Sequence, residues 1–195
     1  MNYSSLLIYL FVTAITPGPN NLMCLFLGAT VKLKGARKFM YGSFTGIFVK
    51  MILCGALNVA LAQLVPVLVP YLKWIGAAYM LYLGFTMARE GFRKEDETDS
   101  KEGESTFMSG ILLQCLNIKS WVAALSVYPV YVIPYTTSFA AVLFTTIAFT
   151  VLIIISSLIW CLFGQAIQKL YRRYKLPISI LMGLSLAACA VTALL

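Results

Sequence analysis

The stretch Thr16-Pro17-Gly18-Pro19-Asn20-Asn21 interrupts the first long apolar run of the chain, residues 4–28. About 20 apolar residues let a helix cross the roughly 30 Å hydrocarbon core of a bilayer, so the run predicts a membrane span. A proline inside a helix costs about 3 kcal/mol and removes a hydrogen bond. Backbone groups freed at that depth are tolerated only where they face protein or water. We therefore expect a first span that is broken at Pro17-Gly18-Pro19 and faces the protein interior at the break.

The composition predicts a polytopic membrane protein. Hydrophobic residues make up 61% of the 195 residues and charged residues only 11%, which excludes an ordinary soluble domain. Helical apolar runs predict an all-α fold with six transmembrane helices in a single domain, residues 1–195. The six runs cover residues 4–28, 38–63, 66–88, 107–127, 137–163 and 177–195.

The basic residues predict the orientation of these spans. Twelve of the 15 lysines and arginines lie in or beside three alternate loops, 29–37, 89–106 and 164–176. The positive-inside rule places these loops in the cytoplasm and both termini outside. The net charge of +8 favours the anionic lipid of the cytoplasmic leaflet as a partner. The sequence has no aromatic and basic surface of the kind that nucleic acid requires.

An acidic linker, 89–106, divides the chain into two sets of three spans, 1–88 and 107–195. Because each set has an odd number of spans, the second enters the membrane in the opposite sense, as in the inverted repeats of many secondary transporters. Run four carries its own irregularity, Gln114, Asn117 and Lys119, at a position comparable to the first break. Whether residues 117–119 break the fourth span or form a polar patch on a continuous helix stays open.

Lysines and amides within the spans predict a binding site for an anionic group. Lys50 and Lys119 are the ionisable groups of ordinary acid or base type inside the apolar runs, and neither has an acidic partner there. Snorkelling lysines and a packing kink in run one are the plainer alternatives. The helix that restarts after the break exposes free N–H groups, which attract a carboxylate. The predicted substrate-binding residues are Pro17, Gly18, Pro19, Asn20, Asn21, Lys50, Gln114, Asn117 and Lys119.

The same residues restrict the substrate. A substrate ammonium would find only neutral acceptors, such as the amide oxygens of Asn20, Asn21, Gln114 and Asn117. A second positive charge would be poorly met, which disfavours lysine, arginine and metal cations and favours small zwitterions. The chain has no histidine and no acid pair in its spans, so we expect no enzyme, no catalytic residue, no metal and no cofactor. Five cysteines in five separate runs are expected to be apolar filler.

Several motifs together resemble the LysE/RhtB family of bacterial amino-acid exporters. They are Thr16-Pro17-Gly18-Pro19, the glycines Gly35, Gly42 and Gly46, the segment from Gly76-Ala77-Ala78-Tyr79 to Gly84, and Asn117-Ile118-Lys119. The Pro-Gly-Pro-Asn-Asn sequence and the aliphatic Ile118 are most similar to the family's exporters of cysteine and O-acetylserine. The resemblance implies secondary-active efflux of small neutral amino acids across the inner membrane of a bacterium, driven by the proton gradient. The proton carrier would be Lys50, Lys119 or the substrate amine.

Two other functions fit the same sequence. A passive channel for small zwitterions needs the same polar break, and a membrane scaffold that transports nothing needs only the packing. A small amino acid and membrane lipid are the expected partners, and self-association into a homo-oligomer stays open.

Overall fold

The computed structural model describes residues 3–93, 106–136 and 138–194, and the described chain is helical apart from short breaks and turns. A π-helical turn, Tyr128–Val132, extends the fifth α-helix. The α-helices in chain order are α1 (Tyr3–Ile15), α2 (Pro19–Ala56), α3 (Asn58–Glu90), α4 (Phe107–Leu116), α5 (Ile118–Val127), α6 (Phe139–Ala166), α7 (Gln168–Arg173) and α8 (Lys175–Leu194).

Three of these helices, α2, α6 and α8, are long and apolar enough to cross a membrane. Helix α4 and the segment Ile118–Val132 pass the same test together as one span bent by 65°, and α1 is a shorter apolar helix. The described chain thus offers three or four candidate spans by length and composition. The predicted all-α membrane fold is confirmed at this level.

The first break lies where the sequence predicts it. Helix α1 ends at Ile15 and α2 begins at Pro19, with Gly18 extended between them. Pro19 is the first residue of α2, where a missing N–H is harmless and the fixed φ angle of proline suits the helix. The prolines therefore end one helix and start the next rather than kinking a continuous one.

Helix α2 folds back on itself at Lys32, which has a φ angle of 60° and a ψ angle of 178°. A straight helix would place Asn20 and Ser43, 23 residues apart, roughly 35 Å from each other. Instead the Ser43 hydroxyl donates to Asn20 Oδ1 over 2.6 Å. The arm 19–31 and the arm 33–56 therefore run side by side in opposite directions.

Two glutamines stabilise the turn at Lys32. Gln165 Oε1 accepts from Leu33 N over 3.1 Å, and Gln168 Nε2 donates to the carbonyl oxygen of Ala29 over 3.2 Å. The prediction of a loop over 29–37 was wrong, because these side chains pair backbone groups on both sides of one kinked residue and the helix continues.

Three other predicted connections differ in detail. Helices α2 and α3 meet at Leu57, so the second turn comes earlier than the gap between the predicted runs 38–63 and 66–88. Helix α3 reaches Glu90, and residues 94–105 of the predicted linker lie outside the described residues. The predicted loop 164–176 contains the short helix α7.

The second break is real, although no proline makes it. Helix α4 ends at Leu116 and α5 begins at Ile118, and Asn117 between them is extended, with φ −82° and ψ 100°. Asparagine favours helix ends over helix interiors, because its short polar side chain can hydrogen-bond to nearby backbone groups in non-helical conformations. The chain therefore has a break in run one and another in run four, as the sequence left open.

Glycines bring the backbones of neighbouring helices into direct contact. Helix α2 packs on α6 and α4, and α3 packs on α8. A Cβ on Gly28 would lie 2.0 Å from the Cys161 carbonyl oxygen, and one on Gly42 would lie 1.9 Å from that of Phe107. No side chain fits at such distances, so the small residues fix the spacing of the helices.

The apolar residues form two separate cores. The first core joins the arm 19–31 to α3 and α8 through residues such as Phe26, Met80 and Leu186. The second core joins α1 to α5 and α6 through residues such as Leu10 and Phe149. The two breaks lie between these cores.

We predict that Gly164→Ala destabilises the protein. A Cβ at this position would lie 2.1 Å from the Leu25 carbonyl oxygen, so the arm 19–31 and α6 must move apart. Overpacking of this kind costs about 1–3 kcal/mol. Thermal unfolding in detergent should show a lower midpoint than for wild type.

The matched control is Val151→Ala, on the same helix at a side chain that is 45% exposed. It should leave the midpoint nearly unchanged. Equal midpoints for the two variants would contradict the proposed role of the glycine contact.

Candidate functional site

A cavity lies between the two cores, at the level of both breaks. The space in which the centre of a water molecule fits is about 30 Å³, so the cavity holds a few waters. It is lined by Thr13, Ala14, Thr16, Gly18, Asn20, Asn21, Ile47, Gln114, Asn117, Lys119, Ser120, Phe149 and Ile153.

At the first break, side chains satisfy the carbonyl oxygens at the end of α1. The Asn21 amide donates to the carbonyl oxygens of Ala14 over 2.9 Å and Thr16 over 3.0 Å. Ser156 Oγ also donates to Ala14, over 2.8 Å, and the Trp160 indole donates to Ile15 over 3.2 Å. Helix ends leave such carbonyls unpaired, and in a span they need partners from the protein. The carboxyl end of α1 is therefore well capped.

At the second break, the end of α4 is capped in a similar way. The Ser120 hydroxyl and the Lys50 ammonium both point to the Gln114 carbonyl oxygen. The Trp121 indole donates to the Cys115 carbonyl oxygen over 2.8 Å. In both breaks a hydroxyl and a tryptophan indole thus pair the last carbonyls of the first half-helix.

The amino ends of the second half-helices lack such caps. Gly18 precedes α2 and Asn117 precedes α5, and neither helix has a side chain that accepts from its first N–H groups. These ends carry partial positive charge. Both lie at the cavity, because Gly18, Asn20, Asn117 and Lys119 line it. The cavity therefore collects unpaired backbone donors, whereas the backbone carbonyl oxygens at the ends of α1 and α4 accept hydrogen bonds.

A buried polar network connects the two breaks behind the cavity wall. Gln114 Nε2 donates to Ser43 Oγ over 2.8 Å, and Ser43 in turn donates to Asn20 Oδ1. Asn20 Nδ2 donates to Ser157 Oγ over 3.0 Å. The four residues of this network come from four different apolar runs of the sequence. The network therefore holds the side chains of Asn20 and Gln114 in fixed positions.

Among the residues that the structure describes, two buried amide oxygens have no hydrogen-bond donor. They are Gln114 Oε1 and Asn117 Oδ1, and both residues line the cavity. Gln114 is 2% exposed and Asn117 is 5% exposed. A buried acceptor without a donor costs about 1–3 kcal/mol, so each oxygen favours a ligand that donates.

The two lysines have different roles in this geometry. Lys119 lines the cavity, and its ammonium donates to the Thr16 carbonyl oxygen over 2.8 Å and contacts that of Pro17 at 3.5 Å. Lys50 is buried away from the cavity, against Gln114, Ser120 and the ring of Trp121. The sequence predicts that both lysines face the cavity. Of the two, Lys119 lines it, whereas the Lys50 ammonium donates to the Gln114 carbonyl oxygen at the end of α4.

Six of the nine residues selected from the sequence line the cavity together: Gly18, Asn20, Asn21, Gln114, Asn117 and Lys119. Pro17, Pro19 and Lys50 shape the breaks without lining it. The selection missed Ile47, Phe149 and Ile153 on the apolar wall, and the hydroxyls of Ser43, Ser120, Ser156 and Ser157. The serines had a signal, because a hydroxyl inside an otherwise apolar span usually bonds another helix. The apolar residues of the cavity wall gave no such signal, because in the sequence they cannot be told from apolar residues that face lipid.

The fold and the cavity define a helical membrane protein with a small polar site between broken helices. Its family follows from the sequence, because the profile of the LysE type translocators matches residues 11–195. The chain therefore belongs to the LysE family, and the resemblance found in its motifs is confirmed. Proteins named cysteine/O-acetylserine efflux protein from Escherichia coli K12, E. coli O1:K1 and Shigella flexneri are similar to it. Each is 29% identical over 183 residues, 94% of this chain and 92% of the relative. No solved structure matches the chain.

We predict that Asn21→Ala lowers the stability of the protein by about 0.5–1.5 kcal/mol, because it removes the amide hydrogen bonds to the carbonyl oxygens of Ala14 and Thr16, which keep the donors Ser156 and Lys119. Thermal unfolding in detergent measures the loss. The matched control, Gln165→Ala, also removes an amide bonded to the backbone, but this bond lies at an exposed position where water replaces it. An equal loss in both variants would contradict the special need for a cap at the break.

Proposed function

We propose that this protein is a secondary-active exporter of small neutral amino acids, such as cysteine or O-acetylserine, in the inner membrane of a bacterium. Membership of the LysE family and the names of the similar efflux proteins support this function. The observation that carries it is the pairing of uncapped helix ends with unpaired amide oxygens around one cavity.

The substrate carboxylate would bind at the amino ends of α2 and α5. Both ends present N–H groups that no side chain caps, and such ends favour anions. Lys119 adds a full positive charge at the same place, since a Cβ on Gly18 would lie 3.2 Å from its Nζ atom. A carboxylate here would receive hydrogen bonds from two half-helices and a cation.

The substrate ammonium would bind on the opposite side, at Gln114 Oε1 and Asn117 Oδ1. Both oxygens lack donors, and neither carries a negative charge. Within residues 3–93, 106–136 and 138–194 the only side-chain carboxylate is Glu90, and it pairs with Lys175 at 3.3 Å and Arg93 at 3.6 Å. One ammonium is therefore accommodated, whereas the second charge of lysine or arginine would lie in the site without a counter-ion.

The arrangement of caps supports six spans in two inverted repeats. The spans would be α1 with the first arm of α2, the second arm of α2, α3, α4 with α5, α6, and α8. Ser156, on the middle span of the second half, caps the end of α1. Lys50, on the middle span of the first half, caps the end of α4. Each half thus caps the broken span of the other half, as expected for inverted repeats that share a central site. The repeats would be 1–88 and 107–195 of one domain.

The orientation follows from the same repeats. The segments 29–37, 89–106 and 164–176, which the sequence predicts as loops, carry the cations in or beside them and would face the cytoplasm, with both termini outside. The small cavity lies between two packed cores, which would have to part for an amino acid to pass from one face of the membrane to the other. This supports alternating access over a continuous pore.

We predict that purified protein in liposomes moves cysteine and O-acetylserine at least about tenfold faster than lysine, because the second cation of lysine is not compensated. Alanine serves as the neutral control and should also be moved. Counterflow of labelled substrate is the measurement. Flux that rises linearly with substrate and shows no exchange would indicate a channel, and absence of flux would indicate a scaffold.

Proton coupling is assigned to Lys119 or to the substrate amine, since Lys50 does not line the cavity. Lys119→Gln removes the cation that would meet the carboxylate, so we expect a KM raised by about tenfold and no accumulation driven by a pH gradient. Lys119→Arg keeps the charge but does not release a proton, so exchange should persist while the pH gradient no longer drives it. Lys73→Gln, which alters a lysine of α3 that donates to the Leu194 carbonyl oxygen at the end of α8, is the control. Gradient-driven transport by Lys119→Arg would exclude Lys119 as the carrier.

A further inference from the structure

Lys50 is a buried cation that the substrate site does not use. The residue is 4% exposed, and within the described part of the chain it forms no ion pair. The titratable groups that interact with it electrostatically are the thiols of Cys54 and Cys115. Moving a charge into a membrane span costs several kcal/mol, so an uncompensated lysine needs a local reason to be there.

Oxygen atoms at the second break supply that reason. The Lys50 ammonium donates to the Gln114 carbonyl oxygen and, over 2.6 Å, to Ser120 Oγ. Ser120 Oγ in turn donates to the Asn117 carbonyl oxygen over 2.8 Å. The ring of Trp121 lies 4.6 Å from the ammonium and closes the other side. The cation thus contacts one carbonyl oxygen, one hydroxyl oxygen and an aromatic ring at the carboxyl end of α4.

This set of ligands is one that an inorganic cation also accepts. Carbonyl groups at the carboxyl ends of half-helices carry partial negative charge and hold Na⁺ in transporters that have broken spans. We propose that the second break forms a site for a monovalent cation and that the Lys50 ammonium occupies it permanently. Lys50 is then a positioning residue, because it holds the end of α4 through Gln114 and does not contact the substrate.

The proposal goes beyond the function proposed above, and only its transport readout depends on that function. It explains why the two intramembrane lysines differ in exposure. Lys119 reaches the cavity and remains partly exposed, whereas Lys50 is sealed behind the backbone of Gln114. It also predicts that the natural protein needs no sodium, since the site is already filled by a residue of the chain.

The test is to empty the site and offer it an ion. Lys50→Ser shortens the side chain, leaves the oxygens in place and opens room for Na⁺. We expect the thermal midpoint of wild type to be the same in NaCl and in choline chloride. The midpoint of Lys50→Ser should be lower in choline chloride and should rise with NaCl concentration in a saturable way, as ligand binding to a folded state requires. Exchange of cysteine by this variant should fall by about tenfold or more in choline chloride and recover several-fold in NaCl.

Lys119→Ser is the matched control, because it removes the other intramembrane lysine and should gain no response to Na⁺. A midpoint of Lys50→Ser that is the same in both salts would overturn the proposal, as would a wild type that requires Na⁺. Trp121→Leu covers the case in which Lys50→Ser does not fold. It removes the ring beside the cation without altering a residue that lines the cavity, so it should lower the maximal rate of exchange with little change in KM. A raised KM at an unchanged maximal rate would place Lys50 in the substrate site and refute the positioning role.

Discussion

Breaking a helix inside a membrane frees backbone groups that water cannot reach, and the rest of this structure depends on how they are paired. The chain supplies donors for the carbonyl ends of α1 and α4 from Asn21, Ser156 and Ser120 and from two tryptophan indoles. Its described residues supply no side-chain cap for the amino ends of α2 and α5. The pairing is therefore one-sided, and the side left open is the one that attracts a carboxylate. Two of the features that define the site, its position and the sign of its charge, follow from this one asymmetry.

The electrostatics of the spans follow from the same helix ends. A lysine in lipid is costly, but both lysines place their ammonium groups at carbonyl oxygens that end a half-helix. Each lysine lowers the free-energy cost of unpaired carbonyl oxygens at a break, and these oxygens lower the free-energy cost of burying the lysine in the membrane. The pairs cross between the halves of the chain, since Lys50 reaches α4 and Lys119 reaches the end of α1. The two halves consequently stabilise each other through charges that neither would tolerate alone.

Local chemistry made much of this fold predictable. Two prolines and a glycine predict the first break because no other structure accommodates them, and the apolar runs predict helices because a membrane permits little else. The kink at Lys32 was not predictable, because Gln165 and Gln168, more than 130 residues away, supply the partners that replace a loop. The amides of the site were visible as polar residues in apolar runs. Their partners were not, since the bond between Ser43 and Asn20 exists only once the chain has folded back. The position of Lys50 behind the site likewise depends on which carbonyl lies within its reach.

The contact of Lys119 with the carbonyl oxygens of Thr16 and Pro17 has a consequence for the energetics of a carrier. An ammonium that waited unpaired for a carboxylate would bind it tightly and release it slowly. Here the backbone after α1 holds the ammonium, so the carboxylate of the proposed substrate would gain only the difference in free energy between two partners. Binding is then weaker, and the unloaded protein is not left with a buried bare charge when it returns for the next molecule. Because the backbone after α1 competes for the ammonium, the protein would bind a carboxylate less tightly and release it faster. This balance suits a protein that exports a metabolite from a compartment where its concentration is already high.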